Sequence, residues 1–194
     1  MLASIKRTVV IALTGSFALL VSVMPSSVFA MEWQVDEAAS KIAFSGTHAG
    51  RAFEGQFNEW SADIRFDPDA LDQSSVTVTV QTNSAETGTR LYDRTLPNDE
   101  WFNVAAHPDA VFAADEFSQL DDGSYQARGT LTIKGNTQPI ILPFNLSIDG
   151  QTATVAGAVE LDRIALDMGV KSDPDAAWVS QVIPVTITLV ATRP

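Results

Sequence analysis

Residues 129–148 read GTLTIKGNTQPIILPFNLSI and carry the strongest structural signal in this chain. In the first arm, counted back to Tyr125, every second residue is apolar or small, and the residues between are Gln, Arg or Thr. After Gly135-Asn136 the apolar residues resume at alternate positions as far as Ile148. Strand side chains alternate between faces with a period of two, whereas a helix needs apolar spacings of three and four. The stretch therefore predicts a β-hairpin with one apolar face and a turn at Gly135-Asn136.

Alternation of the same kind extends outward along most of the remaining chain. The segments that show it are 33–44, 53–66, 76–80, 111–117, 153–161 and 183–189. Together with the hairpin they give about eight strands, several of them joined by tight turns. Antiparallel strands with one apolar face form either a sandwich or a closed up-and-down barrel, and the pattern favours the barrel. The predicted fold class is all-β, an eight-stranded antiparallel barrel whose interior is either filled by side chains or holds one small ligand.

The apolar parity changes once within the segment 53–66. Phe53 and Phe57 lie on one parity, whereas Trp60 and the apolar residues after it lie on the other. A slip of one residue would turn every later side chain to the opposite face of the sheet. We therefore expect a bulge or turn at Asn58-Glu59.

Alternation disappears between residues 84 and 106, and this segment is predicted to hold a short helix. Ser84 and Thr87 are the candidate N-caps, and Pro97 limits the length of the helix. We expect this insertion to cap one end of the barrel and to turn Leu91, Trp101 and Phe102 inward.

The first thirty residues have the composition of an export signal. Lys6 and Arg7 precede an apolar run that is short of the roughly 20 residues that a membrane span needs. Val28-Phe29-Ala30 places small side chains at the two positions that a signal peptidase reads before the expected cleavage point after Ala30. The prediction is a signal peptide at 1–30, one domain at 31–194, and an exported protein with no stable membrane insertion.

Charge and cysteine content exclude several classes of function. Lys6 and Arg7 are the only charged residues before position 31, which leaves ten basic and 24 acidic residues and a formal charge of −14. Such a charge repels phosphate backbones and anionic lipid headgroups, so nucleic acid is not an expected partner. The chain has no cysteine, which excludes disulfides and thiolate chemistry.

The residues alone point to no catalytic residue and to no metal site. His48 and His107 are the only histidines, and neither stands at ligand spacing from a second donor. The nucleophile motif G-x-S-x-G does not occur in the chain.

An ordered set of short motifs links the chain to a known family. The motifs are Trp33-x-x-Asp36 with Ser40, Ile42 and Phe44, then Thr47-His48, Gly55-x-Phe57, Ser84-x-x-Thr87, Asp93, Leu96, Trp101-Phe102, Pro108-x-Ala110-x-Phe112, the heptapeptide 129–135 and Arg163. With these motifs in this order, the chain resembles the YceI-like family of exported, polyisoprenoid-binding proteins with a lipocalin-like barrel. It departs from the family pattern at Tyr92, where Arg is common, and at Thr95, where His is often found.

The resemblance implies a periplasmic, lipocalin-like barrel that binds an isoprenoid lipid or respiratory quinone and acts as a carrier or reservoir. It implies no catalysis, so that the protein is expected not to be an enzyme, and no cofactor apart from that ligand. His48 is expected at the cavity mouth, where it would orient a quinone carbonyl. The residues expected to contact the ligand are Phe44, His48, Phe57, Ile64, Leu91, Trp101, Phe102, Phe112, Leu131, Ile133, Leu142, Phe144 and Val185.

Two other interpretations and one partner stay open at this point. The protein is alternatively a quinone-linked redox accessory protein or enzyme of the envelope, or a ligand-free stress or adhesion module with a filled core. Small residues on the inward parity, such as Ala127, Gly129, Ala153 and Gly157, favour a cavity over a filled core. A homodimer is compatible with the sequence, because a sheet edge or the cavity mouth is able to pair two copies.

Overall fold

The structure is a computed structural model that describes residues 30–193, so residues 1–29 of the predicted signal peptide lie outside the described residues. The helical elements are one α-helix, α1 (Arg90–Thr95), and 3₁₀ turns at Glu37–Ala39, Leu71–Gln73 and Thr82–Ser84. The strands are β1 (Glu32–Val35), β2 (Lys41–His48), β3 (Arg51–Phe57), β4 (Trp60–Arg65), β5 (Ser75–Gln81), β6 (Ala85–Glu86), β7 (Asp109–Gln119), β8 (Tyr125–Ile133), β9 (Asn136–Asp149), β10 (Thr152–Asp162) and β11 (Val182–Thr192).

Hydrogen bonding closes these strands into a ring. Strand β11 pairs with β1 near its C-terminal end and with β2 closer to its N-terminal end. On its other side β1 pairs with β4, and β2 pairs with β3. Strands β1 and β2 are therefore two halves of one bent barrel strand, and so are β3 and β4. The ring runs β1/β2, β3/β4, β5, β7, β8, β9, β10, β11 and back, with every pairing antiparallel. The predicted eight-stranded antiparallel barrel is confirmed.

The hairpin at 125–149 has the predicted strands but a different turn. Ile133 pairs with Asn136, so the turn residues are Lys134 and Gly135, one position earlier than predicted. Both have positive φ, 51° and 77°, as a two-residue type I′ turn requires. Lys134 tolerates this conformation because its ammonium group donates hydrogen bonds to the backbone carbonyls of Glu100 and Asp167 across the barrel end.

The change of parity at Asn58-Glu59 is confirmed. Strand β3 ends at Phe57 and β4 begins at Trp60, and the two residues between them leave the ladder. The backbone N–H of Asn58 instead donates to the carbonyl of Ser84 at 3.2 Å.

The helix of the insertion has six residues, and neither predicted residue caps it. Its N-cap is Thr89, whose side chain makes no capping hydrogen bond. The hydroxyl of Thr87 instead donates to Oδ1 of Asp93 at 2.7 Å, and the hydroxyl of Ser84 donates to the carbonyl of Gln81. The helix ends at Thr95, before Pro97, as the proline predicts.

The two ends of the barrel are built differently. The insertion end carries the β2–β3 and β8–β9 turns and the two long connections, 82–108 and 163–181. The terminal end carries the connection 66–74 and the strand ends nearest the two ends of the described chain. Between residues 30 and 193, no helix has the length and apolar character needed to cross a membrane.

Each end has its own apolar cluster. At the terminal end the ring of Phe66 contacts three other aromatic rings, those of Phe117, Tyr125 and Phe144, at centroid distances of 5.4 to 6.1 Å. The indole of Trp33 donates to the carbonyl of Phe66 at 2.9 Å and closes the same cluster. The cluster at the insertion end consists of Phe44, Ala85, Phe102, Ala110, Ile133, Ile140, Leu161, Leu166 and Met168.

Candidate functional site

The barrel encloses a cavity of about 280 Å³ that connects the two clusters. Its wall runs from Trp33 and Phe66 at the terminal end to Trp101 and Met168 at the insertion end. Among the lining residues of the described chain, Ser75 and Arg163 are the only polar ones, and all of the surface that faces the cavity is apolar. A space of this kind is able to hold the hydrocarbon part of a ligand.

Eleven of the thirteen predicted contact residues lie on the wall of this cavity. They come from strands and from the connection 82–108, and the ring of Phe57 on β3 joins the two, at 5.1 Å from Phe44 on β2 and 5.9 Å from Phe102 in the connection. A contact with ligand stays a prediction for all of them. The eleven are Phe44, Phe57, Ile64, Trp101, Phe102, Phe112, Leu131, Ile133, Leu142, Phe144 and Val185.

Leu91 does not line the cavity, and its predicted inward orientation is wrong. Its residue surface is 65% exposed. The helix that carries it has only six residues, so a single face of it meets the barrel, and Tyr92 occupies that face with its ring 5.8 Å from Phe53. Leu96, beyond the helix end, lines the cavity instead.

His48 also lies outside the cavity wall but close to its end. Its Nδ1 and the hydroxyl of Tyr92 are hydrogen-bonded at 2.9 Å, and the two rings meet edge-on. His48 also forms a β-bridge with Val179, while Phe53 packs against Tyr92. Because Phe53 and Val179 both line the cavity, this polar pair sits directly behind its wall at the insertion end.

The small residues on the inward parity do not all provide space. Ala127 and Ala153 line the cavity. At Gly129 a Cβ atom would collide with the backbone carbonyl of Ala113, next to the irregularity where β7 and β8 shift register. At Gly157 it would lie 3.1 Å from the carbonyl of Pro143. The glycines therefore permit close approach of neighbouring strands, whereas the small alanine side chains provide space in the cavity.

The connection 163–181 is organised by a buried ion pair. Arg163 is fully buried, and its Nη2 donates to Oδ2 of Asp173 at 2.6 Å. The remaining donors reach the carbonyls of Ser180, Met168 and Val179 at 2.9 to 3.1 Å. Arg163 thus crosslinks its own connection and holds it over the insertion end of the barrel.

Asp173 is held in its charged form. Burial acts to raise its pKa, but the backbone N–H groups of Val179, Trp178 and Ala177 and the charge of Arg163 outweigh burial. The result is a pKa below the ordinary carboxyl value of 3.8. The ion pair is therefore complete at neutral pH.

The two long connections are also joined to each other. The backbone N–H of Gly169 donates to the carbonyl of Glu100 at 2.9 Å, and the N–H of Ser172 donates to the carboxylate of Glu100 at 2.6 Å. The guanidinium carbon of Arg163 lies 5.8 Å above the ring of Trp101. These contacts make the connections 82–108 and 163–181 one cover over the cavity.

Several wall residues were not predicted, for two different reasons. Phe53 and Trp60 lie on the apolar parities of their strands, so the alternation already contained the signal that identifies them. Met168 and Val179 belong to an irregular connection whose sequence has no periodicity, and nothing local marks them as inward. The part of the chain that the structure describes holds no group of three or more His, Asp or Glu residues placed to bind a metal ion.

These features define a small closed β-barrel with an apolar internal cavity and a two-part cover. The chain belongs to the YceI-like family, since the YceI-like domain model matches residues 33–191. The resemblance inferred from the ordered motifs is confirmed.

Two bacterial relatives match over 90% and 64% of their own length. A UPF0312 protein of Shewanella denitrificans is 28% identical over 177 residues, which cover 87% of this chain and 90% of that protein. A UPF0312 protein of Pectobacterium atrosepticum is 33% identical over 123 residues, which cover 62% of this chain and 64% of that protein.

Solved structures share the barrel. The crystal structure of BcnA from Burkholderia cenocepacia superposes with a TM-score of 0.78 at 28% identity, covering 82% of this chain and 100% of that chain. A polyisoprenoid-binding domain from Saccharophagus degradans, implicated in plant cell wall breakdown, gives a TM-score of 0.66 at 16% identity, covering 84% of this chain and 99% of that chain. At the lower identity the likeness shows the fold alone.

Proposed function

We propose that this protein binds one isoprenoid amphiphile, with the tail inside the barrel, and serves as a periplasmic carrier or reservoir. The observation that carries the proposal is the apolar surface of a cavity that reaches from Phe66 near one end of the barrel to Trp101 near the other. The Saccharophagus degradans domain of the same fold is described as polyisoprenoid-binding, which supports this ligand class. The signal-like composition of residues 1–30 supports export.

Burial of an isoprenoid tail supplies enough free energy without any polar contact. Each isoprene unit has about five carbons, and moving it out of water is worth about 3–4 kcal/mol. Three or four units offset the roughly 4–15 kcal/mol that association costs. Ligand affinity then depends on the tail, and the head group adds selectivity.

A neutral head group such as a quinone fits the polar pair at the insertion end. The Nδ1 of His48 and the hydroxyl of Tyr92 already satisfy each other, and both side chains are half-buried. A quinone carbonyl is able to accept a hydrogen bond from either of them once the pair rearranges. We propose this contact as the role of His48.

Binding rather than catalysis is the function that the wall residues favour. Of the two polar wall residues in the described chain, Arg163 has its donors committed to Asp173 and to backbone carbonyls. Ser75 has no neighbouring base among the lining residues to activate its hydroxyl.

Native mass spectrometry of protein purified from its own host tests this function. The expected spectrum contains a complex heavier than the polypeptide by the mass of one prenyl lipid, and the ligand-free fraction takes up an added short-tailed prenyl benzoquinone. A strictly ligand-free mass combined with no uptake of the added quinone overturns the proposal.

A further inference from the structure

Two apolar side chains on the insertion end are unusually exposed. Leu91 is 65% exposed and Trp178 is 63% exposed. The other large apolar residues on the surface of the described chain are 36 to 48% exposed and belong to the barrel wall or its turns. Large exposed apolar side chains that occur together on a soluble surface mark interaction sites.

Both residues are linked to the β2–β3 turn, Trp178 directly and Leu91 through the residue that follows it. Leu91 precedes Tyr92, whose hydroxyl is bonded to His48, and the carbonyl of Trp178 accepts from the N–H of Ala49 at 2.8 Å. Because Phe53 beside Tyr92 lines the cavity, the two exposed side chains flank the end of the cavity at which a ligand head group is proposed to lie.

The exposed indole is held in place by the buried ion pair beneath it. The backbone N–H of Trp178 donates to the carboxylate of Asp173 at 3.2 Å, and the next N–H, of Val179, donates to the same carboxylate at 2.9 Å. Asp173 is in turn fixed by the fully buried Arg163. The fold therefore presents this indole to solvent from a rigid base.

The charge around the two side chains is opposite to that of the whole protein. We name segments 49–52, 88–96 and 169–178 the docking surface. It exposes four cations, which make no salt bridge with any residue in the described range 30–193, whereas of its three carboxylates one is exposed, the half-buried Asp93 accepts from Thr87, and the buried Asp173 is paired with Arg163. The cations are Arg51, Arg90, Arg94 and Lys171, and the exposed carboxylate is Asp175.

We propose that the docking surface binds an anionic membrane surface and thereby presents the cavity end to the lipid layer. Leu91 and Trp178 would enter the interface between headgroups and acyl chains, where Trp is favoured, and the four cations would face the lipid phosphates. Residues 31–194 carry a formal charge of −14 in total, so the excess of negative charge lies outside the docking surface and disfavours other orientations toward anionic headgroups. This inference rests on the proposed function, because docking would serve the exchange of a prenyl lipid between the cavity and a membrane.

Flotation with vesicles tests the docking surface. Wild type is expected to float with vesicles of phosphatidylglycerol and phosphatidylcholine in equal parts, to float weakly with phosphatidylcholine alone, and to release as salt rises. The double variant Leu91→Ser, Trp178→Ser is expected to lose about tenfold or more in vesicle affinity. Equal binding of this variant and wild type to the anionic vesicles overturns the proposal, and so does equal binding of wild type to both vesicle types.

Two matched controls separate the docking surface from general effects. Ile141→Ser, Val182→Ser replaces two exposed apolar residues outside the docking surface and is expected to bind vesicles as wild type does. Arg90→Glu, Lys171→Glu is expected to weaken binding to the anionic vesicles about tenfold while leaving the weak binding to neutral vesicles unchanged. A dimer detected by sedimentation without vesicles, and lost in the Leu91, Trp178 variant, would assign the surface to a second copy of the chain and overturn membrane docking.

Uptake of a short-tailed prenyl benzoquinone in vesicle-free solution distinguishes the two proposals. If the double variant takes up this quinone normally but does not float, docking is supported independently of the cavity. If wild type floats but takes up no quinone, the ligand proposal fails and docking stands. If wild type takes up quinone but never floats, docking fails alone.

Discussion

The two ends of this barrel are closed by different kinds of interaction. At the terminal end, aromatic side chains that belong to the strands or directly follow them pack against one another, with Phe66 in contact with three rings. At the insertion end, two long connections are held by polar contacts, chiefly the buried Arg163–Asp173 pair and the bonds of Lys134 to the opposite connections. The first end is closed by the barrel itself and the second by a cover laid over it.

This difference indicates which end admits a ligand. Opening the terminal end would separate aromatic rings that form the core of the barrel, with a cost close to that of unfolding it. Opening the insertion end moves the two connections, with the buried Phe102, Leu166 and Met168, away from the barrel and leaves the strand ladder intact. We therefore expect ligand exchange at the insertion end, where the cavity approaches His48 and the docking surface.

Replacing a ring at each end tests the comparison most strongly. Phe66→Ala is expected to cost about 3–5 kcal/mol of unfolding free energy, because it leaves a void among three rings. The same change at the half-buried Phe53 of the insertion end is expected to cost less than half as much. Urea unfolding followed by circular dichroism measures both, and equal losses would mean that the two ends contribute alike.

Weakening the buried pair tests how much the cover depends on it. Asp173→Asn removes the charge that Arg163 and three backbone N–H groups bind, and the expected loss is about 1.5–3 kcal/mol of unfolding free energy. Asp167→Asn is the matched control, because that carboxylate is 62% exposed in its pair with Lys134 and is expected to matter by at most about 1 kcal/mol. Equal effects of the two substitutions contradict a special role for the buried pair.

Acid should remove the contribution of the same carboxylate. The pKa of Asp173 is lower in the folded chain than its ordinary value of 3.8, so protons bind the unfolded chain more readily. The stabilisation is therefore fully present above the ordinary value and is lost as pH falls below it, through the lower folded pKa. We expect the stability difference between wild type and Asp173→Asn to be constant from neutral pH to about pH 5 and to shrink below pH 4. If the stability difference between wild type and Asp173→Asn stays constant as the pH falls well below 3.8, the lowered pKa of Asp173 is contradicted.

The regular part of the fold was predictable because strand physics is local. Alternation with period two marks a strand wherever one face is buried, and the parity change at Asn58-Glu59 followed from the same rule. The turn of the hairpin was placed one residue late because the pattern does not reveal which residue takes positive φ. Lys134 adopts it, and its ammonium group donates to the carbonyls of Glu100 and Asp167, which are distant in sequence.

In the candidate site, too, the residues on regular strands were predictable and those on irregular segments were not. The apolar residues chosen on strands lie on the cavity wall as predicted, whereas Leu91 was misplaced because an apolar residue in a short helix has no pattern that fixes its direction. The role of Arg163 in holding the cover was not predicted at all. Its partner Asp173 lies in a connection without periodicity, so only the folded chain shows that the two meet.

The smallest expected change in stability belongs to the middle of the barrel, between the two ends. Leu131→Trp places a large ring on the cavity wall. If the space is a container, the indole fills it with a change below about 1 kcal/mol, whereas in a filled core the same overpacking costs about 1–3 kcal/mol. Urea unfolding measures this change, and the expected result is near-wild-type stability.

The same variant should nevertheless lose ligand uptake, because the indole occupies the space that a prenyl tail requires. Ile141→Trp is the matched control, since it adds the same ring at an exposed position on neighbouring β9 and leaves the cavity unchanged. Native mass spectrometry with a short-tailed prenyl benzoquinone reads out uptake in both variants. A destabilised Leu131→Trp that still takes up quinone would contradict this placement of the ligand, because the space at Leu131 would then be core and the tail would lie elsewhere. Loss of uptake at unchanged stability separates container from core, because only an open cavity accepts the ring at no cost and then excludes the tail.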